Sequence, residues 1–241
     1  MTPSVPLGGL PQERRTQSRL ETAGDTMRIT ILGAHGKIAM HLHGELKARG
    51  HQVRGLVRDP EQVAALRDAG VEPVVCDVER EEEIAEAVGS ADAVVFAAGA
   101  GTGSGAARKW TVDRDGALKL MEAARKNGIP RYVMVSAMRL DEPRGDDVFR
   151  TYLRAKAEAD QALRESGIDY TIVKPGRLTD EPGTGRVALA NRLPKGEVPR
   201  EDVAAVLAEV LETPEAVGHT FDLTDGELSV AEAVRRAVQA S

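Results

Sequence analysis

The chain has 241 residues, 41% of them hydrophobic, which is enough for one well-packed domain. Its 32 basic and 38 acidic residues give a net charge of -6 and are mixed along the sequence, so no basic face points to nucleic acid. No apolar run approaches the length of a membrane span, and the single cysteine, Cys76, cannot form an internal disulfide. We therefore expect a cytoplasmic protein, a monomer or weak homodimer, whose partner is a small-molecule substrate and not a nucleic acid or a membrane.

Residues 1–26 are rich in proline, glycine, threonine and charge, so we expect a disordered N-terminal extension. From residue 27 to 241 we expect a single domain with small substrate-side elements from about residue 175 onward. The predicted strands are 28–32, 52–57, 72–75, 93–97, 131–135, 169–173 and 219–223. The predicted helices are 37–49, 60–69, 80–88, 110–126, 147–166, 200–211 and 229–240.

Several predicted strands are apolar on both faces, as in "YVMVS" and "AVVFAA". This pattern is typical of a parallel sheet that helices cover on both sides. Because strands and helices alternate with short connections, the sequence predicts a doubly wound α/β fold with about seven mainly parallel strands.

A glycine turn, "GAHGKIA", follows the first predicted strand directly and opens the first helix. Gly33 permits a tight turn, and Gly36 allows a pyrophosphate to approach the backbone. The helix N-terminus then offers free N–H groups and a positive dipole end, and His35 and Lys37 can add donors. An ordinary strand–helix turn is the alternative, but at the first junction of such a fold the pattern favours dinucleotide binding.

The second predicted strand ends in "GLVRDP", where an acidic residue is typical of NAD sites and an arginine suits the 2′-phosphate of NADP. Arg58 comes first and Asp59 second, which favours NADP, although a solvated charge pair at a helix start is the alternative. Asp77 and Val78 end the third strand, where an adenine ring would lie. Asp77 is equally well placed to cap the following helix.

Tyr152 and Lys156 lie four residues apart on a predicted helix, which places them on one face. A nearby ammonium favours phenolate, so we expect a lowered pKa for Tyr152 and a role in proton transfer. Ser136, just past the fifth strand, is placed to hydrogen-bond a substrate carbonyl. A tyrosine packed on the helix beside a solvated lysine is the alternative.

Residues 178–189, "LTDEPGTGRVAL", are predicted to form a loop with Gly183 and Gly185 as hinges. Such a loop is either a lid over a cofactor or a plain surface connection. The histidines lack metal-ligand spacing with cysteine or carboxylates, so no metal site is expected.

From about residue 27 onward the chain resembles the short-chain dehydrogenase/reductase superfamily, and most closely its atypical, NAD(P)-binding, epimerase-like branch, often grouped with NmrA-like proteins. The segments that carry this resemblance are "GAHGKIA", "LVRDP", "CDVE", "VVFAAGAG", "VDRDGALKLMEAA", "VMVSA", "YLRAK", "YTIVKPGRLTDEPGTG" and "REDVAAVL".

The resemblance implies an NAD(P)-binding Rossmann fold and a role for each matching position. The residues that would wrap the pyrophosphate are Gly33, His35, Gly36, Lys37 and Ile38, and Arg58 would meet the 2′-phosphate. Those that would line the adenosine side are Ala97, Ala98 and Gly99. The superfamily's catalytic serine, tyrosine and lysine match Ser136, Tyr152 and Lys156, of which Lys156 would also hold the nicotinamide ribose. The loop beside the nicotinamide matches Pro175, Gly176 and Arg177.

Two positions depart from the superfamily pattern: Asp113 replaces the usual active-site asparagine, and Ala39 replaces the third glycine. The part after Pro175 is also smaller than in sugar-nucleotide epimerases, which favours a small or flat substrate. The resemblance therefore implies an NADP-dependent oxidoreductase that transfers hydride to or from a small carbonyl, quinone, flavin or enone. A non-catalytic NADP-binding redox sensor and a sugar-nucleotide epimerase or dehydratase are the alternatives.

Overall fold

The computed structural model describes residues 26–101, 103–142 and 144–240, so the predicted extension lies outside the described residues except for Thr26. The strands are β1 (Arg28–Leu32), β2 (Gln52–Val57), β3 (Glu72–Val75), β4 (Ala93–Phe96), β5 (Arg131–Val135), β6 (Asp169–Pro175), β7 (Arg177–Thr179), β8 (Arg186–Ala190), β9 (Glu197–Pro199), β10 (His219–Asp225) and β11 (Leu228–Ser229). The helices are α1 (Lys37–Ala48), α2 (Val63–Asp68), α3 (Ala85–Val88), α4 (Ala106–Arg108), α5 (Gly116–Lys126), α6 (Asp147–Glu165), α7 (Arg200–Glu212) and α8 (Val230–Gln239). A π-helical segment, Lys109–Asp115, joins α4 to α5.

The main sheet has nine strands in the order β11-β8-β10-β6-β5-β4-β1-β2-β3. All neighbours from β10 to β3 are parallel, and β8 is antiparallel to both β10 and β11. The seven predicted strands are all present in it, which confirms the doubly wound, mainly parallel α/β fold. The two additional strands are β8 and β11, while β7 and β9 form a separate parallel pair.

Helices cover both faces of the sheet, as the doubly apolar strands predicted. On one face α1, α7 and α8 bury leucine, valine and alanine side chains against the sheet, with Phe221 of β10 fully buried among them. On the other face α5 and α6 pack with α3 around Phe96 and Tyr132. This two-layer burial fixes the strand ends relative to the helix starts, and those junctions carry the candidate site.

Because the strands from β10 to β3 are parallel, their carboxyl ends meet at one edge of the sheet. The glycine turn after β1, Arg58 after β2, Asp77 after β3 and Ser136 after β5 all lie at this edge. In doubly wound folds ligands bind there. None of the described helices is long and apolar enough to cross a membrane.

Two local predictions were wrong. Residues 80–84, expected to be helical, are irregular, and the helix begins only at Ala85. The expected loop 178–189 begins in strand β7, which ends at Thr179, and finishes in strand β8, which begins at Arg186. The part between these strands is held by the start of α7: Glu201 accepts a hydrogen bond from Gly183 N, and Asp202 accepts from Gly185 N.

Candidate functional site

The glycine turn has the geometry that a bound phosphate requires. Gly33 has a φ of 85°, and a Cβ on it would lie 2.6 Å from the backbone of Ala98 at the end of β4. Only glycine fits such a close approach at positive φ. Gly36 is the N-cap of α1, and no side chain caps that helix. The first N–H groups of α1 are therefore available to an anion.

A cavity of about 240 Å³ opens beside this turn. The predicted cofactor residues that line it are Gly33, His35, Gly36, Arg58, Asp77, Val78, Ala97, Ala98 and Gly99. The cavity is also lined by four polar or sulfur-containing residues that were not predicted to bind a cofactor: Gln62, Cys76, Glu79 and Arg108. Burial raises the pKa of the Cys76 thiol to about 12, so it remains a thiol at neutral pH.

Asp77 caps a turn and not a helix. Its Oδ1 accepts a hydrogen bond from Glu79 N at 3.0 Å, and its backbone carbonyl accepts from Arg80 N and Glu81 N. The capping alternative for the following helix is therefore wrong, because α3 begins eight residues later. Val78 is buried against α5.

Glu79 joins two arginines at the mouth of the cavity. Arg108 donates to it from Nε and Nη2 at 3.0 and 2.6 Å, Thr111 Oγ1 donates at 2.7 Å, and Arg58 Nη1 lies 3.7 Å away. The hydrogen bond from Arg108 is the main reason that the pKa of Glu79 lies below its usual range. The sequence signal for this cluster was the carboxylate of Glu79, which follows "DV" just after β3.

Lys156 and Asp113 form a buried ion pair. The Nζ of Lys156 lies 3.4 Å from Asp113 Oδ1, with the two side chains only 4% and 1% exposed. Lys156 also donates to Val135 O at 3.1 Å and to Ala98 O at 3.4 Å. Asp113 Oδ2 accepts from Ala100 N at 3.2 Å. Asp113 lies in the π-helical segment, a form of helix that often marks functional sites.

Tyr152 lies one helical turn before Lys156, but its pKa is shifted opposite to the prediction. Burial is the largest cause and raises the pKa, and the carboxylates of Asp113 and Asp160 raise it further. The expected lowering is wrong because burial outweighs it, and because the Lys156 ammonium is also paired with Asp113. Within the described residues the Tyr152 hydroxyl makes no hydrogen bond, and Phe149 lies beside its ring with the centres 5.7 Å apart.

Ser136 is 4% exposed, and its hydroxyl faces the Asp160 carboxylate, a contact that favours the charged form of that carboxyl. The hydroxyl completes no well-aligned hydrogen bond among the described residues, so it is able to turn toward a ligand. Asp160, further along α6, is also buried, with Lys174 Nζ 3.4 Å from its Oδ2. Burial raises the pKa of Asp160, and Lys174 opposes the shift.

The loop after β6 carries the remaining predicted residues. Gly176 N donates to Leu223 O, and a Cβ on Gly176 would lie 2.3 Å from Gly196 O, so the loop is tightly packed at this point. Pro175 is buried at the end of β6. The Arg177 side chain is engaged by Glu197 across the β7–β9 pair.

Lys37 and Ile38, the two remaining predicted residues of the phosphate turn, do not line the 240 Å³ cavity. Lys37 lines a second cavity of about 540 Å³, together with His35 and residues of the loop after β7. There Asp180 bridges Lys37 and Arg200, accepting a hydrogen bond of 2.6 Å from each. Ile38 packs against the core on the α1 side of the sheet.

No group of three or more histidine, cysteine, aspartate or glutamate side chains within the described ranges could hold a metal ion.

Comparison with known proteins identifies the family. The family model described as NAD(P)H-binding matches residues 33–214. A Bacillus subtilis (strain 168) protein, YhfK, described as an uncharacterized sugar epimerase, is 39% identical over 213 residues, which are 87% of this chain and all of that protein. The yeast (Saccharomyces cerevisiae) UPF0659 protein YMR090W is 37% identical over 83% of this chain and 94% of its own length.

Two solved structures show the same fold. A Bacillus halodurans protein proposed to be an NAD-dependent epimerase/dehydratase has 40% identity and a TM-score of 0.82 over 87% of this chain and 99% of its own. The oxidoreductase ylbE from Lactococcus lactis has 30% identity and a TM-score of 0.78 over 88% and 97%. With the family model covering most of the described residues, this chain belongs to the NAD(P)H-binding family, within the atypical branch of the short-chain dehydrogenase/reductase superfamily.

Proposed function

We propose that this protein is an NADP-dependent oxidoreductase that reduces a small carbonyl, quinone, flavin or enone. One observation carries the proposal: Ala98 joins the phosphate turn to the candidate catalytic lysine. Its backbone lies against Gly33, and its carbonyl accepts a hydrogen bond from Lys156. A dinucleotide whose pyrophosphate sits on the turn would therefore extend toward Lys156, Ser136 and Tyr152.

The residues of the turn fit such a cofactor, because the space beside Gly33 is closed to any side chain and the N-terminus of α1 is uncapped. A bound nicotinamide cofactor supplies the hydride for a reduction. Lys156 would hydrogen-bond the ribose next to the nicotinamide, and the buried hydroxyl of Ser136, which lies beside Asp160, would orient the substrate oxygen.

Tyr152 supports the direction of reduction. Because burial and two carboxylates raise its pKa, the phenol is protonated at neutral pH and is able to donate a proton. The alkoxide that forms when a carbonyl accepts hydride is a stronger base than phenolate. Proton transfer from Tyr152 to that oxygen would therefore be favourable.

The preference for NADP rests on the arginines at the mouth of the 240 Å³ cavity. Arg58 has 55% of its side chain exposed and only a long contact to Glu79, so it remains able to meet a 2′-phosphate. Arginine binds phosphate by paired hydrogen bonds, which a ribose hydroxyl does not offer.

Sugar-nucleotide epimerization is the second candidate, and the name of the Bacillus subtilis relative favours it. The chain spans all of that relative, so any epimerase activity there would need no additional domain. A curated Streptomyces relative, 28% identical over 227 residues, is named a denitrifying reductase, which supports the first candidate.

Titration of the purified protein with NADPH and NADH, followed by nicotinamide fluorescence, tests the cofactor. We expect NADPH to bind about tenfold more tightly than NADH, and Arg58→Ala to remove the difference while Arg67→Ala, on exposed α2, does not. NADPH oxidation with a panel of quinones, flavins and aldehydes then tests the reaction. Tyr152→Phe should keep NADPH binding and remove most turnover, and Tyr170→Phe should keep both. Failure to bind either nucleotide would overturn the proposal.

A further inference from the structure

Cations and aromatic rings are grouped beside Tyr152. The Cζ of Arg144 lies 5.6 Å from the ring centre of Phe149, and that ring lies 5.7 Å from the ring of Tyr152. Lys109 Nζ lies 5.5 Å from the Tyr152 ring centre. Phe149 is 38% exposed, one of three exposed large apolar side chains among the described residues, with Val75 and Leu118. An open aromatic surface therefore adjoins the candidate proton donor.

The cations next to these rings make their hydrogen bonds to backbone carbonyls, and Arg144 has one longer contact, of 3.8 Å, to the carboxylate of Glu142. Arg144 donates both of its hydrogen bonds to backbone carbonyls, those of Met138 and Arg139, and Lys109 donates to the carbonyl of Gly101. Carbonyl oxygens accept hydrogen bonds from the N–H groups but do not neutralise the positive charge of the side chain. The two carboxylates that act on Tyr152, Asp113 and Asp160, are buried and each has a lysine partner of its own.

The Glu142 carboxylate contacts four cations, and we call these five residues the rim cluster. Its members are Arg139, Arg144, Arg192, Lys195 and Glu142. Asp141 adds one further contact, 3.5 Å from Arg192. Arg150, Asp146 and Asp147 follow at the start of α6, where Arg150 pairs with Asp147, so the region holds five cations and four carboxylates on a protein whose net charge is -6. This excess favours an anion at this place.

Backbone strain marks the same loop. Arg139 has a φ of 56°, the positive φ of a non-glycine residue, and its Nε is buried without a hydrogen-bond partner among the described residues. Long side chains rarely adopt this conformation, and such outliers concentrate at ligand sites. Arg139 comes three residues after Ser136, so the strained backbone is part of the substrate side.

We propose that the surface formed by Arg144 and Phe149 beside Tyr152 is a substrate subsite for a planar, conjugated acceptor that carries a carboxylate. This inference rests on the proposed function, because that function places the reacting group at Tyr152. The conjugated part of the substrate lies on Phe149, and its carboxylate takes the guanidinium of Arg144 with support from the rim cluster. An acceptor without a negative charge binds the same surface more weakly.

Equilibrium binding of 2-naphthoate and its neutral counterpart 2-naphthamide tests this subsite without requiring turnover. Both affinities are measured by calorimetry at low salt, with and without NADP⁺. We expect 2-naphthoate to bind about tenfold more tightly than the amide. Arg144→Gln should remove that preference, Phe149→Leu should weaken both compounds, and Arg125→Gln on α5 should change neither. Higher salt should reduce the preference.

Because Arg144 also holds the loop carbonyls, a second variant protects the test from misfolding. The double substitution Arg192→Gln and Lys195→Gln alters only exposed rim cations and should lower the preference by at least about threefold. Equal binding of the two probes, binding of neither, or a preference that both variants leave intact would overturn the subsite. Reduction of a neutral quinone such as menadione by NADPH, measured in parallel, reports separately on the proposed function.

Discussion

Lys37 Nζ and Asp180 Oδ2, 143 residues apart in sequence, lie 2.6 Å from each other. Lys37 opens helix α1 at the phosphate turn, and Asp180 follows β7 in the loop beside the candidate nicotinamide end. Asp180 also accepts from Arg200 at the start of α7. The Asp180 carboxylate therefore forms ion pairs with two cations next to the place where a pyrophosphate would bind.

Replacing Asp180 by asparagine should strengthen cofactor binding. Lys37, freed from its ion pair, would be available to a phosphate, so we expect Asp180→Asn to lower the Kd for NADPH by about threefold to tenfold. The hydrogen bond from Lys37 holds the pKa of Asp180 below its usual range, so the effect should persist across neutral pH. Fluorescence titration measures it, with Glu181→Gln as the neighbouring control. Weaker binding in Asp180→Asn would show instead that the bridge positions Lys37 for the phosphate.

Glu79 should oppose the 2′-phosphate in a similar way. Its carboxylate stays anionic at neutral pH, because Arg108 holds its pKa low, and it occupies the two arginines at the mouth of the cavity. Glu79→Gln should therefore tighten NADPH binding by about threefold to tenfold and leave NADH nearly unchanged. Arg108→Ala should weaken NADPH alone, and Glu82→Gln, an exposed neighbour, should have no effect. If Glu79→Gln tightened the binding of NADPH and NADH equally, the arginines would not contact the 2′-phosphate.

Asp113→Asn should lower the pKa of Tyr152, because it removes a carboxylate that raises it and leaves the Lys156 charge uncompensated. Absorbance titration of tyrosinate, with Tyr152→Phe subtracted, measures this pKa. The same variant breaks a buried ion pair and should lower the free energy of unfolding by about 3 kcal/mol.

Asp115→Asn is the matched control for Asp113→Asn. It lies in the same π-helical segment, but its partner Arg114 is about one third exposed, so little stability should be lost. A pKa of Tyr152 that does not move in Asp113→Asn would mean that burial alone sets it.

The strands and helices that the sequence predicted are those with a strong local signal. Runs such as "AVVFAA" are buried on both faces, and the glycines that end α1, α2, α5 and α6 have the positive φ typical of helix ends. Strand β8 shows alternating burial, but the glycines and prolines just before it favoured a loop. Strands β7 and β9 have three residues each, too few for any periodicity.

The sequence predicted the candidate site only for residues that directly follow a strand, because the fold fixes their position. The turn and Arg58 follow strands directly, so parallel pairing brings them to one cavity. The pairings among charged side chains were not predictable: Asp113 with Lys156, Glu79 with Arg108, and Asp180 with Lys37 join residues 29 to 143 positions apart. The pKa of Tyr152 is raised mainly by burial and further by the carboxylates of Asp113 and Asp160, and the spacing of Tyr152 and Lys156 along the helix shows neither effect.

His43 should make stability depend on pH below about 6.5. It is 1% exposed, its Nε2 donates to Ala34 O at 2.7 Å, and its Nδ1 is buried without a partner among the described residues. Burial lowers the pKa of His43 below its usual 6.5, and the hydrogen bond to Ala34 only partly opposes this. Below about pH 6.5 the unfolded chain therefore binds a proton that the folded chain does not.

The stability contribution of neutral His43 is thus complete above pH 6.5 and is lost as pH falls, by at most about 1.4 kcal/mol per pH unit. Urea unfolding at pH 5, 6, 7 and 8 measures it. His43→Gln keeps a donor for Ala34 and cannot titrate, so its midpoint should fall less toward pH 5 than that of the unchanged protein. His41→Gln, exposed on the same helix, should follow the unchanged protein. If His43→Gln retained the full pH dependence, the loss of stability in acid would have to come from other groups, and the prediction for His43 would be wrong.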